Sequence, residues 1–241
     1  RAITSQAGSA DVLEALGIKI DITPEQAAHS LKEHQFAFFF APKYHPAFKH
    51  IAPARKRCAE RGQRTIFNIL GPLLNPARPT AQLIGVPRPE FCEPVARVLQ
   101  SLGLRRGMVA CGEVPLPGSN EVKHKFLDEL SIFAPNRIAE FYHERGFYVS
   151  TLNPADFPVQ PSQLPDLLGS NAQANAEIVR RIVNGEERGP KRDAVLLNSA
   201  AALLVSGKVK SLSEGWDLAA KTIDEGKAAK KLEDLIAYSA A

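Results

Sequence analysis

Apolar and polar positions alternate along the chain in blocks that predict helices separated by short apolar runs. Ser9-Ala-Asp-Val-Leu-Glu-Ala-Leu16 joins a capping residue, Ser9, to an acid in the first turn and a stop at Gly17, so a short helix is expected. Thr23-Pro24-Glu25-Gln26 combines a cap, Pro at the first helical position and Gln three residues on, which opens a second helix to about His34. Residues 36–40, Phe-Ala-Phe-Phe-Phe, are closed by Pro42 and are expected to form a buried strand. From His45 to about Cys58, Phe48, Ile51 and Ala52 recur at helical spacing, while residues 65–70 fit helix or strand equally.

Further along, residues 81–86 read as a strand, and residues 90–102 as an amphipathic helix ended by Gly103. Residues 108–111 read as a short strand, and the polar, Gly- and Pro-containing stretch 112–125 as a surface loop. Strands are also expected near 130–133 and 147–152, and helices over 174–183, 193–205, 212–224 and 227–238. Strands separated by helices predict an α/β core with a largely parallel sheet. Neither an internal repeat nor a clean linker is visible.

Composition narrows the classes. Of 241 residues, 44% are hydrophobic and 23% charged, which is globular rather than disordered. No apolar run approaches the length of a membrane helix, so no membrane partner is expected. The net charge is +4, and its densest cluster (Arg55, Lys56, Arg57, Arg61 and Arg64) fits a solvated helix end better than a nucleic-acid surface. Cys58, Cys92 and Cys111 are odd in number and lack metal or redox spacing, so they read as buried thiols of a cytoplasmic protein. The chain begins at Arg1 rather than Met and carries no secretory pattern, and a processed or partial N-terminus is expected.

Four short segments carry candidate chemistry. Gln6-Ala-Gly-Ser9 leads into a helix N-terminus, where free backbone N–H groups and the helix dipole suit a phosphate. Gly71-Pro72 interrupts an apolar stretch and would let a ligand approach the backbone. Asp128 and Glu129 are adjacent carboxylates between apolar residues, a pair able to hold Mg²⁺ together with substrate phosphate. His45 and Arg55 lie on one expected helical segment, and a guanidinium grips a carboxylate through two parallel hydrogen bonds. Taken singly, each segment also has an ordinary structural explanation: a cap, a kink, a surface acid pair, a surface arginine.

Their order and spelling are more specific. Residues 1–17, RAITSQAGSADVLEALG, resemble the segment that follows Lys-His-Gly-Asn in anthranilate phosphoribosyltransferases. The resemblance continues through HPAFKHIAPAR at 45–55, RTIFNILGPLLNP at 64–76, DELS at 128–131 and GPKRDAVLLN at 189–198. It implies transfer of the phosphoribosyl group of phosphoribosyl pyrophosphate (PRPP) to anthranilate, in tryptophan biosynthesis. It also implies an α/β fold of the nucleoside phosphorylase/phosphoribosyltransferase kind. That fold has a large domain with a mixed, largely parallel sheet flanked by helices, plus part of a small all-helical domain. Residues 1–44 and 75–241 would belong to the large domain, and residues 45–74 would form a helical pair of the small one. On the same footing Arg55, His45, Gly71 and Pro72 would bind anthranilate, Ser9 and Arg1 would meet PRPP, and Asp128 with Glu129 would bind Mg²⁺. A homodimer is implied as well.

The sequence departs from the family pattern in places. The Gly-Thr-Gly-Gly-Asp loop and the Lys-His-Gly-Asn tetrapeptide are absent, Ala7 stands where serine is usual, residues 56–63 are longer, and Cys111-Gly112 replaces His-Gly. These 241 residues are therefore expected to be inactive alone. The departures keep two alternatives open: a paralogue or nucleoside phosphorylase-like enzyme with another acceptor, and a non-catalytic member of the family.

Overall fold

The computed structural model describes residues 7–63, 65–115, 124–144 and 146–240. Its helices are α1 (Ser9–Leu16), α2 (Pro24–His34), α3 (Ala41–Tyr44), α4 (Phe48–Glu60), α5 (Leu70–Leu73), α6 (Cys92–Ser101), α7 (Leu164–Leu167), α8 (Ala172–Val183), α9 (Pro190–Val205), α10 (Leu212–Asp224) and α11 (Lys227–Ala240). Its strands are β1 (Ala81–Gly85), β2 (Arg106–Pro115), β3 (His124–Leu127), β4 (Asn136–Tyr142) and β5 (Gly146–Leu152). Contacts divide the chain into two units. One contains residues up to Arg78, Gly169–Arg180 and residues from Ala229 on, and the other contains Pro79–Leu168 and Arg181–Ala228.

The first unit is helical because its helices are locally well specified. Thr23 and Gln26 cap α2 reciprocally: the Gln26 N–H donates to Thr23 Oγ1 at 3.2 Å, and the Thr23 N–H to Gln26 Oε1 at 2.9 Å. Gly17 ends α1 at φ 93°, in the left-handed region that favours glycine. Leu16, Ile18, Ala176 and Leu235 form the buried core of this unit, joined by Val12, Phe36 and Leu232. Polar ties reinforce it, with Arg180 Nη2 donating to the Leu16 carbonyl at 3.1 Å at the negative end of α1.

Two expectations fail in this unit. Gly8, not Ser9, caps α1, its N–H donating to Asp11 Oδ2 at 2.9 Å, and Ser9 is the exposed first helical residue. Residues 36–40 are irregular and half-buried rather than a buried strand. Their apolar side chains pack, but a strand also needs a hydrogen-bonding neighbour, and none pairs with them among the described residues. The ambiguous stretch 65–70 resolves as a 3-10 turn over Ile66–Asn68 followed by α5.

The second unit is a five-stranded sheet in the order β1-β2-β4-β5, with β3 also paired to β2. β1 runs parallel to β2, joined through α6, and Gly85 lies opposite Ala110. The three other pairings are antiparallel. The sheet is mixed, as expected, but among the described residues its parallel share is smaller than helix–strand alternation implied. Short connections explain this, because β4 and β5 are close enough in sequence to form a hairpin. β2 is the buried centre, with Met108, Val109, Ala110 and Cys111 almost inaccessible. α6 packs on β2 and β4, α9 on β1 and β2, and α10 on α9. Gly107 leaves room for the Phe141 ring, which a Cβ would meet at 2.5 Å, and Gly215 lets α10 approach the Ala200 backbone on α9.

Further corrections fall here. Residues 112–115 continue β2 rather than entering a loop, and Lys125 lies in β3; residues 116–123 are outside the described set. Residues 130–133 are irregular rather than a strand, and β4 has no counterpart among the expected strands. Its polar members Asn136, Arg137 and Glu140 break the apolar run that would have marked it. No described helix is long and apolar enough to cross a membrane.

Cys92 and Cys111 are buried and Cys58 is half-buried. Burial pushes the Cys92 thiol up to about 12 and the Cys111 thiol up to about 11, so neither forms thiolate near neutrality. Of these three, a thiol reagent at pH 8 is expected to label Cys58 alone until the protein unfolds. Peptide mapping of the labelled native protein checks this.

Candidate active site

The acidic pair follows β3 at the start of a tight loop in the second unit. Asp128 and Glu129 are both solvent-accessible. Protein atoms crowding the Glu129 carboxyl, and secondarily the Asp128 charge, raise its pKa above its ordinary value. Neither acid makes an ion pair among the described residues.

Four consecutive residues here each have a separate backbone anchor. A Cβ at Gly85, the last residue of β1, would overlap the Asp128 carbonyl oxygen, so the two backbones touch. A Cβ at Gly112 on β2 would stand 2.5 Å from the Glu129 carbonyl oxygen. The Leu130 N–H donates to Asn198 Oδ1 at 2.9 Å, and Asn198 Nδ2 donates back to the Leu130 carbonyl at 2.9 Å. The Ser131 N–H donates to Asn136 Oδ1 at 2.6 Å, and Asn136 Nδ2 returns a bond to the Ser131 carbonyl at 2.9 Å. Ser131 Oγ further donates to the Glu113 carbonyl at 2.7 Å.

The donor set suits Mg²⁺ arriving with a phosphate. That ion takes one or two carboxylates and completes its shell with water and phosphate oxygens. Among the described residues no group of three or more His, Cys, Asp or Glu side chains forms a self-sufficient cage. Two exposed acids with one raised pKa are a pair that a cation would relieve.

The remaining candidates lie in the first unit. Arg55 is half-buried on α4 and has no hydrogen-bond or ion-pair partner among the described residues. His45 is not on that helix. It caps the C-terminus of α3, and its ring meets Phe48 edge-on at 5.6 Å. The intervening Pro46 and Ala47 break the helical segment that periodicity had joined. Gly71 and Pro72 lie inside α5 rather than interrupting it, both exposed, and the space beside Gly71 is open where a Cβ would project. Ser9 lies in the first turn of α1, and Arg1 lies outside the described residues.

Sequence reading found the acids but not what holds them. Asn136, Asn198, Gly85 and Gly112 are far apart in the chain, and an isolated asparagine or glycine carries no periodic signal. Of the four, Asn198 fell inside a recognised motif, as the last residue of GPKRDAVLLN, and Gly112 was noted only as part of the Cys111-Gly112 departure.

Comparison with known proteins places this geometry in context. Residues 1–229 match the family described as "Glycosyl transferase family, a/b domain". An anthranilate phosphoribosyltransferase from Lacticaseibacillus casei is 45% identical over 239 residues, covering 99% of this chain and 65% of the relative. The crystal structure of anthranilate phosphoribosyltransferase from Thermus thermophilus superimposes with a TM-score of 0.85 at 40% identity, covering 100% of this chain and 67% of that one. The Saccharomyces cerevisiae enzyme, solved in complex with PRPP and Mg, shares the fold with a TM-score of 0.81 at 22% identity, covering 97% of this chain and 63% of that one. The chain thus spans a little under two thirds of the length of the curated relative.

The glycine contacts yield a direct prediction. Gly85→Ala drives a methyl group into the Asp128 backbone, so the strand and the acidic loop must separate. A loss of about 1–3 kcal/mol is expected, as for other overpacked sites. Gly103→Ala, where nothing lies within 4 Å of the added Cβ, loses stability only through its positive φ of 87°. Denaturant unfolding of both variants, with slow amide exchange in the acidic loop retained only by Gly103→Ala, checks this.

Proposed function

The chain belongs to the glycosyl transferase family that carries this α/β domain, and on that premise we propose that the intact protein transfers the phosphoribosyl group of PRPP to anthranilate. The products are N-(5-phosphoribosyl)anthranilate and pyrophosphate, and the step serves tryptophan biosynthesis in the cytoplasm. The observation that carries this reading is 45% identity over 239 residues to an anthranilate phosphoribosyltransferase. Arg55, Asp128 and Glu129 stand in the motifs that resemble that family.

The roles follow from the chemistry. The anthranilate amine forms the new bond to the anomeric carbon, and the bond from that carbon to pyrophosphate breaks, its electron pair leaving with pyrophosphate. The amine loses a proton to water. Asp128 and Glu129 would hold Mg²⁺, which supplies charge neutralisation for the departing pyrophosphate. Arg55, half-buried and without a protein partner among the described residues, is supported as the group that takes the anthranilate carboxylate through its two parallel N–H groups. His45, Gly71 and Pro72 would line the acceptor path, and the open space beside Gly71 favours close approach of a flat ring. Ser9, exposed in the first turn of α1, and Arg1 would meet the phosphates. No residue serves as a covalent nucleophile: an aromatic amine attacks directly, and positioning is the main contribution.

Residues 45–74 are assigned to the small helical domain on the resemblance; their described residues carry no strand, as is also true of residues 7–44. Residues 1–44 and 75–241 are assigned to the α/β domain. The protein is expected to be a homodimer.

The test is loss of anthranilate fluorescence when PRPP and Mg²⁺ are added to the intact protein. No turnover would overturn the proposal, and turnover with another acceptor only would replace anthranilate in it. Arg55→Ala is expected to raise KM for anthranilate about 10- to 100-fold, the range of a lost charge-assisted hydrogen bond, with a smaller effect on KM for PRPP. Arg55→Lys should recover part of that loss, since a point charge lacks the planar fork. Asp128→Ala is expected to abolish the Mg²⁺ dependence of PRPP binding, measured by calorimetry at high and zero Mg²⁺.

A further inference from the structure

Asn198 and Leu130 pair as two peptide units do in a strand ladder: one side-chain amide satisfies both backbone groups of one residue. Asn136 does the same for the next residue, Ser131. Leu130 is 2% exposed and Ser131 1%, so these four backbone groups have no access to water as a substitute partner. The amide of Asn198 is oriented by a third bond, from Nδ2 to the Ala194 carbonyl at 3.0 Å one turn earlier on α9. Asn136 is 0% exposed and is likewise fixed by a bond to the Ala134 carbonyl at 3.3 Å. Neither asparagine is free to rotate. The glycine faces of β1 and β2 also block movement of Asp128 and Glu129 toward the sheet.

We propose that Asn198 is a positioning residue for the acidic pair, holding the Asp128–Glu129 backbone at the place where a divalent cation bound to a pyrophosphate group is met. This rests on the assignment of that pair to Mg²⁺. Asn198 does not itself touch the cation. It acts through Leu130, the residue that follows the pair, and it ties the metal-binding loop to α9, a helix packed on the sheet. Removing the outer partner that orients a metal ligand typically lowers metal affinity about 10- to 100-fold.

The experiment uses the intact protein with Mn²⁺, a paramagnetic substitute for Mg²⁺, titrated in the presence of PRPP and followed by electron paramagnetic resonance. Asn198→Ala is expected to raise the Mn²⁺ dissociation constant about tenfold or more. It should also accelerate amide exchange at Leu130, which loses its acceptor. Val205→Ala, a cavity-forming change near the far end of α9 where the side chain is 2% exposed, is the stability control. It should lower Tm without moving the Mn²⁺ constant. Equal weakening of Mn²⁺ binding by both variants would reduce Asn198 to a structural residue and overturn the proposal.

Asn198→Asp keeps the shape of the side chain and serves if the alanine variant does not fold. It retains an acceptor for the Leu130 N–H but loses both donations from Nδ2 and sets a carboxylate against the Leu130 carbonyl. Added negative charge alone would tighten Mn²⁺ binding, whereas a broken clamp weakens it. Weaker binding is expected, and tighter or unchanged binding would overturn the positioning role. If the unsubstituted protein shows PRPP binding without any bound Mn²⁺, the metal assignment fails and the proposal with it. If Mn²⁺ binds and only the variants behave alike, the metal assignment stands and Asn198 is excluded.

Discussion

Four successive peptide units, 128 to 131, are held by four separate parts of the second unit, and this constraint organises its architecture. β1 supplies the Gly85 contact, β2 the Gly112 contact, α9 the Asn198 clamp and β4 the Asn136 clamp. β3 leads directly into the acids, and β5 pairs with β4 and supplies the Leu152 carbonyl that accepts a third bond from Asn136 Nδ2 at 3.5 Å. The parallel pairing of β1 and β2 matters for the same reason. It sets Gly85 opposite Ala110, so the end of β1 and the Gly112 position of β2 emerge at one end of the sheet. Ligand sites in α/β sheets form at such carboxyl ends, where loops rather than side-chain packing decide the surface.

The anchors are of two physical kinds, and they restrain different motions. A missing Cβ allows van der Waals contact between backbones, which blocks inward movement but costs nothing when the loop moves outward. A side-chain amide bonded to both N–H and C=O resists displacement in either direction. It also prevents the large penalty of burying two unsatisfied backbone groups. Glycines alone would leave the acids free to lift away. Asparagines alone would leave the sheet free to press the loop out of shape. Together they fix a loop that lacks regular secondary structure as firmly as a strand is fixed by its neighbours.

Much of the scaffold was legible because its signals are local. Thr23-Pro24-Glu25-Gln26 specifies its own helix start whatever surrounds it, and Gly17 and Gly103 end helices by conformation alone. Residues 36–40 and 130–133 misled for the opposite reason. Each is apolar enough to be buried, but strand identity depends on a hydrogen-bonding neighbour that apolar character does not supply. β4 was hidden because it carries Asn136, Arg137 and Glu140, and Asn136 serves the acidic loop rather than the strand. The candidate site divides along the same line. Adjacent acids are visible as a pair, whereas an asparagine acting on a backbone far away in sequence leaves no trace in spacing. His45 and Arg55 looked like partners on one helix until the break at residues 46–47 separated them.

Anchored acids and a guanidinium with no partner among the described residues answer different demands of the proposed transfer. Charge that develops on a departing pyrophosphate is stabilised best by groups already in place, because reorganisation during the reaction adds to the barrier. The acceptor presents a carboxylate whose charge does not change as its amine reacts. For that contact the need is alignment, and a planar two-donor group supplies it on arrival without a pre-existing protein partner. An Arg55 paired to a protein acid would have to break that ion pair for every acceptor bound, weakening the grip by the strength of the bond given up. Asp224, by contrast, holds both Arg188 and Arg192, a use of arginine that makes sense only where nothing is to be exchanged. Among the described residues Arg55 has no such partner, which is the condition the proposed acceptor contact requires.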